Sequence, residues 1–506
     1  MDISGWIDHQ ASYLPDKVAI RFEGEDITYA NLADRIANLA AALNGSLDVG
    51  RGDRVAFLGL NSPEMIALLF ACARVGAILV PLNWRLVPRE HSEMLHDFTP
   101  KALFVEPEYY DHVADIGDAV GGARLIAMGD TFNGWMTYDE LLRKTGSSLN
   151  GDQGASYDDP VLIVYTSGAT GTPKGVVLTQ EALFFNAVNS THMHDMTSED
   201  RVLTTLPMFH VGGLNIQTLP ALHNGATVIL RRQFNPDQVF NDLASRNISL
   251  VIFVPAQTAA LIAHRRWADV DLSSVRLLIT GSTFVPDHLI TVYQARGVAV
   301  GNIYGCTETT PIATALMARD TDRVGSVGKA ALHCDIRLVD DDGNDVPPGV
   351  SGEILVRGPN VLKEYWNNPE ATAAALRDGW YHSADMAHCD KDGFIYIDDR
   401  KKDMIISGGE NIYPAELEKI LALSPLLLEA GVVGRDDERW GEVPVAVVVR
   451  APNEMVSVDD VFALFDGSLA RYKHPKDVVF VDALPRNAMS KILKDQLRIL
   501  VKDKNS

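Results

Sequence analysis

The sequence predicts an α/β protein: a large N-terminal domain of layered α/β subdomains with a β-barrel-like part, then a small mobile α+β C-terminal domain. Three observations predict it. Short apolar runs alternate with helix-length segments up to about Arg319, the pattern of parallel sheets covered by helices. Beyond Arg319 the runs are joined by acidic turns. A dense charge cluster, Asp399-Arg400-Lys401-Lys402-Asp403, then precedes a compact unit of about 100 residues. At 506 residues and 46% hydrophobic, the chain exceeds what one hydrophobic core organises.

The elements follow in order. Val55 to Leu58 reads as a strand, Pro63 to Ala73 as a helix and Ala77 to Val80 as a strand, with later strands at Leu250 to Val254, Val275 to Thr280 and Val298 to Tyr304. Ligands of such sheets bind at the carboxyl ends of the strands. Asp335 to Val339, the Asp340-Asp341-Asp342-Gly343 turn, Gly352 to Arg357 and Gly393 to Ile397 read as short antiparallel strands with acidic turns. Past the charge cluster come a strand at Met404 to Ile406, a helix from Pro414 to Leu423, a strand from Val443 to Val449, a helix near Asp459 to Leu469 and a strand from Val478 to Val481. The boundary is placed at the cluster, giving domains 1–401 and 402–506.

A formal net charge of -22 disfavours nucleic acid and anionic membrane partners, both of which need basic patches. Cys72, Cys306, Cys334 and Cys389 show neither zinc-ligand nor disulfide-framework spacing, which fits a reducing compartment. The apolar region from Met65 to Val80 is broken by Arg74 and Gly76 and stops at Pro81, short of the roughly 20 residues of a membrane span. Met1 to Trp6 carry no basic leader into an apolar core. A cytoplasmic protein without a transmembrane segment is expected; oligomeric state is not readable, and a homodimer stays open.

The strongest chemical signal is Tyr165-Thr166-Ser167-Gly168-Ala169-Thr170-Gly171-Thr172-Pro173-Lys174-Gly175, between apolar runs Val161 to Val164 and Val176 to Leu178. Glycines let backbone N–H groups approach phosphate oxygens, hydroxyls add donors, and Lys174 supplies positive charge. The run is not a Walker A loop, which needs Gly-Lys followed by Ser or Thr. A solvated connector is the alternative for this loop alone. A second element, Gly301-Asn302-Ile303-Tyr304-Gly305-Cys306-Thr307-Glu308-Thr309-Thr310, ends another apolar strand; Tyr304 offers a flat face to a purine and Glu308 a hard oxygen to Mg²⁺, with an ordinary strand end as the alternative for this element alone.

Together with Trp380-Tyr381-His382-Ser383-Ala384-Asp385, the charge cluster, Ser407-Gly408-Gly409-Glu410-Asn411 and Pro485-Arg486-Asn487-Ala488-Met489-Ser490-Lys491, these motifs resemble the adenylate-forming superfamily, which includes acyl-CoA synthetases and 4-coumarate-CoA ligases. The resemblance runs in order from about residue 10 to residue 500. It implies a ligase that joins a carboxylic acid to AMP from ATP, releasing pyrophosphate, and then passes the acyl group to coenzyme A.

By that resemblance Thr166, Ser167, Gly168, Thr170, Gly171, Thr172 and Lys174 hold the β- and γ-phosphates. Tyr304, preceded by Asn302 and followed by Gly305, stacks on adenine opposite Gly281-Ser282-Thr283; Thr307 meets the α-phosphate and Glu308 holds Mg²⁺. Asp385, assisted by Arg400, binds the ribose hydroxyls. Lys491 neutralises charge as the acid attacks phosphorus. Lys402 is the hinge, and Gly408, Gly409 and Asn411 line the pantetheine path. His210, read as a strand end running into a glycine turn, sits at the mouth of the acyl pocket. That pocket takes His210, Val211, Gly212, Asn215, Gly281, Tyr304, Gly305 and Thr309, a small and apolar set suited to an uncharged acyl group: a medium-chain fatty acid, or an aromatic or phenylpropanoid acid such as ferulate. Arg231, Arg232 and Lys473 are candidates for CoA phosphates against ordinary solvated cations.

Three positions depart from the family pattern: Ala169 removes a phosphate donor, and Ala384 and Ser490 replace glycines. The competing readings are a homologue with weak or lost ligase activity, an adenylation module serving a carrier protein, and a luciferase-like oxygenase.

Overall fold

The computed structural model describes residues 2–143, 155–166, 173–281, 285–400, 403–407, 410–437, 440–452, 454–466, 468–469, 471–487 and 492–503. Two large sheets carry the N-terminal part. The nine-stranded sheet has six parallel strands at its centre, in the order Ala299–Tyr304, Leu277–Gly281, Leu250–Ile252, Arg201–Thr204, Thr227–Leu230 and Val18–Phe22. The eight-stranded sheet sets Arg54–Leu58 beside Ile78–Pro81 and Ala102–Val105 in parallel, and joins the antiparallel pair Pro160–Thr166 and Lys174–Thr179 at one side.

Both faces of these sheets are buried, which is why their strands read as nearly continuous apolar runs. Val55 and Phe57 face the main core while Ala56 and Leu58 face another. The main core lies between the two sheets, where side chains of both meet the helices Tyr29–Ser46, Pro63–Val75 and Gln180–His194. Pro63–Val75 starts on Ser62, whose side chain accepts the Met65 N–H, and is buried almost all round. The apolar region after Met65 is therefore a core helix and strand. No helix among the described residues is long and apolar enough to cross a membrane.

A five-stranded antiparallel sheet, built on Asp335–Val339, Gly352–Arg357, Trp380–Cys389 and Ile395–Arg400, stands where the barrel-like part is expected. The C-terminal sheet centres on Gly441–Arg450, flanked by Leu427–Asp437, Ile405–Ser407 and Asp477–Phe480. Its two faces carry separate apolar clusters, one under the helix Pro414–Ala422, the other under Lys494–Asp503.

The structure differs from the sequence reading of this domain in four places. The helix expected to reach Leu469 ends at Ala463, and Leu427–Asp437, Glu410–Ile412 and Lys494–Asp503 are not anticipated. Two glycines and several charges hide the first of these as a strand. Gly431 lies against the final helix, where a Cβ would come within 2.8 Å of the tip of the Leu497 side chain.

Candidate active site

The site begins where two neighbouring parallel strands end together, Gly281 beside Ile303. Tyr304 follows, and its Oη donates to Asp385 Oδ2 at 2.8 Å. Burial, with Asp385 beside it, pushes the Tyr304 phenol well above its ordinary range, so the hydroxyl stays a donor. Asp385 is itself buried and stands opposite Arg400 in the ladder between Trp380–Cys389 and Ile395–Arg400. The pairing with Gly352–Arg357 slips between Glu353 and Leu355. At that irregularity Ala384 takes φ 57°, its N–H donating to Glu353 at 3.2 Å. The family's glycine is replaced at a left-handed position, where a Cβ is strained.

Gly305 has φ 159°, and a Cβ there would fall 1.6 Å from the Pro311 carbonyl oxygen; the backbone can turn here only without a side chain. In the 3₁₀ turn Thr307–Thr309, the Cys306 N–H donates to Thr309 Oγ1 at 3.0 Å, and that hydroxyl lies 3.0 Å from the Pro311 carbonyl. Thr309, expected in the acyl pocket, thus engages its hydroxyl within the turn and is fully buried. Asn302 is similarly occupied: its amide donates to Ser326 O and accepts from the Ile303 N–H.

Glu308 accepts a hydrogen bond from Tyr365 Oη at 2.8 Å, and Lys174 Nζ sits 5.3 Å from the centre of the same Tyr365 ring. Thr166 and Lys174 face each other across the base of the expected phosphate loop. The hairpin ends and Glu308 therefore meet around Tyr365. A hard carboxylate near the base of the expected phosphate loop suits Mg²⁺, which takes few protein ligands and completes its shell with phosphate and water. Among the described residues no group of three or more His, Cys, Asp or Glu forms an all-protein metal cage.

Next to Gly281 lies a small cavity of about 30 Å³ walled by Leu206, His210, Gly212, Ile216 and Phe253. His210 does not end a strand. It caps the short helix Val211–Asn215, its Nδ1 accepting the Gly212 N–H at 3.0 Å. Two glycines make this stretch read as a turn, because glycine disfavours helix. Tertiary bonds hold it instead: Asn186 Nδ2 donates to Asn215 O at 2.7 Å, and Ser190 Oγ to Ile216 O at 2.5 Å. Val211 and Asn215 are fully buried on this helix.

The basic candidates for CoA phosphates are spent elsewhere. Arg231 pairs with Asp242 at 2.5 Å, Arg232 with Glu106 at 2.7 Å and Glu108 at 2.9 Å, and Lys473 with Glu416 at 2.7 Å. Ser167, Gly168, Ala169, Thr170, Gly171, Thr172, Ser282, Thr283, Lys402, Gly408, Gly409, Ser490 and Lys491 lie outside the described residues. Asn411 is on the strand Glu410–Ile412.

Sequence reasoning misses Tyr365, which no local motif marks, and the ion pairs flanking 401–402. Asp399 accepts the Ala415 N–H at 3.0 Å and lies 3.7 Å from Lys494 Nζ, which also pairs with Glu418 at 3.2 Å. Burial alone would lower the Lys494 ammonium, but the carboxylates of Glu418, Asp399 and Asp403 outweigh it and raise the pKa. Arg498 binds Asp403 at 2.6 Å. The final helix thereby grips both sides of the charge cluster.

The AMP-binding enzyme family matches residues 7–366, and the AMP-binding enzyme C-terminal domain matches residues 416–491. This chain belongs to the AMP-binding enzyme family. It is 51% identical over 502 residues to an indoleacetate-CoA ligase of Aromatoleum aromaticum, covering 99% of this chain and 98% of that protein. A feruloyl-CoA synthase of Amycolatopsis is 42% identical over 497 residues, 98% of each chain. An o-succinylbenzoate-CoA synthetase of Bacillus subtilis, solved with ATP and magnesium ion, superposes with a TM-score of 0.87 at 31% identity, covering 98% of this AMP-binding enzyme and 99% of that chain. The protein is an AMP-forming acid-thiol ligase, working through an acyl-adenylate.

Proposed function

We propose that this ligase activates an aromatic carboxylic acid, of the arylacetic or phenylpropanoid kind, with ATP and transfers the acyl group to coenzyme A. The apolar cavity beside Gly281 carries this reading. It lies next to the strand ends that bring Tyr304 to Asp385, and relatives that match the whole chain act on indoleacetate and ferulate.

Each residue has a definite task in this scheme. Tyr304 stacks on adenine, and Asp385, with two acceptor oxygens, takes the ribose hydroxyls. The Thr166 to Lys174 loop and Thr307 orient the phosphates. Mg²⁺ held by Glu308 would supply positive charge beside the phosphate oxygens. Lys491 of the C-terminal domain sets its ammonium between the acid's carboxylate and the α-phosphate, where two anions must approach. His210 positions the acyl group at the pocket mouth. The domains divide at 401/402, and rotation at Lys402 withdraws Lys491 and brings Gly408, Gly409 and Asn411 to the pantetheine arm. The four free cysteines suit a reducing compartment, the cytoplasm.

An acid panel tests the substrate class. Purified protein with ATP, Mg²⁺ and CoA is expected to form thioesters of indole-3-acetate, ferulate or related aromatic acids in preference to straight-chain acids. A reversed preference overturns the aromatic reading and leaves the ligase chemistry intact.

A further inference from the structure

Asp97 stands in the last turn of the helix Pro88–Phe98, where a carboxylate opposes the helix dipole. The stability of that helix does not call for it. Its bonds run to two distant segments instead. Asp97 Oδ2 accepts a hydrogen bond from Tyr165 Oη. The Asp97 backbone carbonyl accepts from Trp366 Nε1 at 3.3 Å and from Asn367 Nδ2 at 3.0 Å, and the same Asn367 amide lies 3.4 Å from Asp97 Oδ1.

Both partners adjoin groups of the candidate site. Tyr165 immediately precedes Thr166, and across the hairpin the two stand opposite Gly175 and Lys174. Trp366 follows Tyr365, whose hydroxyl donates to Glu308, and the Trp366 N–H donates to Gly175 O at 2.7 Å. Asp97 therefore joins segments 68 and 269 residues away in sequence.

The joint is closely fitted. A Cβ on Gly175 would lie 3.1 Å from the Tyr165 ring and 3.2 Å from the Trp366 Cβ. The Tyr165 ring packs against Phe98, with centroids 5.9 Å apart. Arg54 donates to the Phe98 and Thr99 carbonyls at 2.7 and 2.9 Å, and its guanidinium lies 5.4 Å from the centre of the Trp366 ring. The helix end and the Trp366 segment are thus held together from two sides. Burial, with Asp97 beside it, raises the Tyr165 phenol above its ordinary range, so its hydroxyl stays a donor.

We infer that Asp97 is a positioning residue for the phosphate end of ATP and its Mg²⁺, setting Thr166 through Tyr165 and Glu308 through the segment Tyr365 to Asn367. The inference rests on the reading above of Thr166 and Lys174 as phosphate-binding and of Glu308 as the Mg²⁺ ligand. Asp97 acts through these neighbours and not on the nucleotide itself. Small displacements of groups that orient a reacting phosphate are costly in rate, so the effect belongs to adenylation, where the phosphates react, and not to the thioester step, which starts after pyrophosphate has left.

The test uses the full-length protein with ATP, Mg²⁺ and an accepted acid. Asp97→Ala is expected to raise the KM for ATP about tenfold or more in acid-driven pyrophosphate release, while the KM for the acid and the conversion of preformed acyl-adenylate and CoA to thioester stay near wild type. Asp97→Asn restores an acceptor to Tyr165 and is expected to recover most of the loss. Tyr165→Phe removes the same bond from its other end, so the double variant with Asp97→Ala is expected to be no worse than Asp97→Ala alone. An unchanged KM for ATP in Asp97→Ala overturns the inference; so does a loss spread evenly over both half-reactions, or losses that add in the double variant. Should Asp97→Ala fail to fold, Tyr165→Phe, which deletes one hydroxyl, decides by the same split between the two steps. Thr166→Ala is the control on the underlying reading. A wild-type KM for ATP there refutes the phosphate assignment and the inference with it, whereas a raised KM in Thr166→Ala beside an unchanged one in Asp97→Ala overturns the role of Asp97 alone.

Discussion

Tyr304 donates its phenolic hydrogen to Asp385 at 2.8 Å, across 81 residues of sequence. The bond ties the end of a parallel strand in the nine-stranded sheet to the antiparallel sheet, and so fixes the proposed adenine platform relative to the proposed ribose carboxylate. Tyr304→Phe keeps the ring and loses this tie. A hydrogen bond to a charged group is worth about 1.5–3 kcal/mol, so the KM for ATP is expected to rise about tenfold or more, with a smaller change in kcat. The ATP dependence of acid-driven pyrophosphate release measures it.

Tyr365 holds Glu308 from one side while its ring lies near Lys174. Removing the hydroxyl in Tyr365→Phe frees the carboxylate from its protein donor, so the Mg²⁺ concentration giving half-maximal adenylation is expected to shift. Thioester formation from preformed acyl-adenylate should change little. A magnesium titration of pyrophosphate release, beside a thioester assay started from the adenylate, separates the two steps.

Ala384 holds φ 57°, a conformation that costs an L-residue about 1–2 kcal/mol. Ala384→Gly relieves it against the greater flexibility glycine gives the unfolded chain. A net stabilisation of about 1 kcal/mol or less is expected, read as a higher urea midpoint at unchanged slope.

Two buried histidines make the fold sensitive to acid. Burial, with His112 beside it, pulls His91 down to about 4, and burial does the same to His194. Between about 6.5 and 4 the unfolded chain binds protons that these rings refuse when folded, so stability rises with pH across that window and falls on acidification. Each group accounts for up to roughly 3 kcal/mol. Urea midpoints at pH 7 and pH 5 check the sign, and His194→Gln should flatten the dependence.

Much of the architecture is legible because the parallel strands, buried on both faces, are written as plain apolar runs. Leu427–Asp437 is not, since two glycines and several charges interrupt its apolar run, and the packing of Gly431 against Leu497 of the final helix is invisible in local pattern. Tyr304, Glu308 and Asp385 stand in motifs that the sequence marks through their joint resemblance to the adenylate-forming superfamily. Tyr365 can be found only after folding brings it across 57 residues to Glu308. His210 illustrates a third kind of gap: a histidine acting as a helix cap, in a helix held by Asn186 and Ser190, carries none of the usual capping signals.

The central claim is that an acid is coupled to AMP with help from Lys491, before CoA takes part. Pyrophosphate exchange into ATP, measured with an aromatic acid and Mg²⁺ but without CoA, tests it most directly. The account predicts acid-dependent exchange in the wild type and its near-complete loss in Lys491→Ala, while that variant still converts preformed acyl-adenylate and CoA to thioester. Exchange that is absent from the wild type across the acid panel, or undiminished in Lys491→Ala, would contradict it.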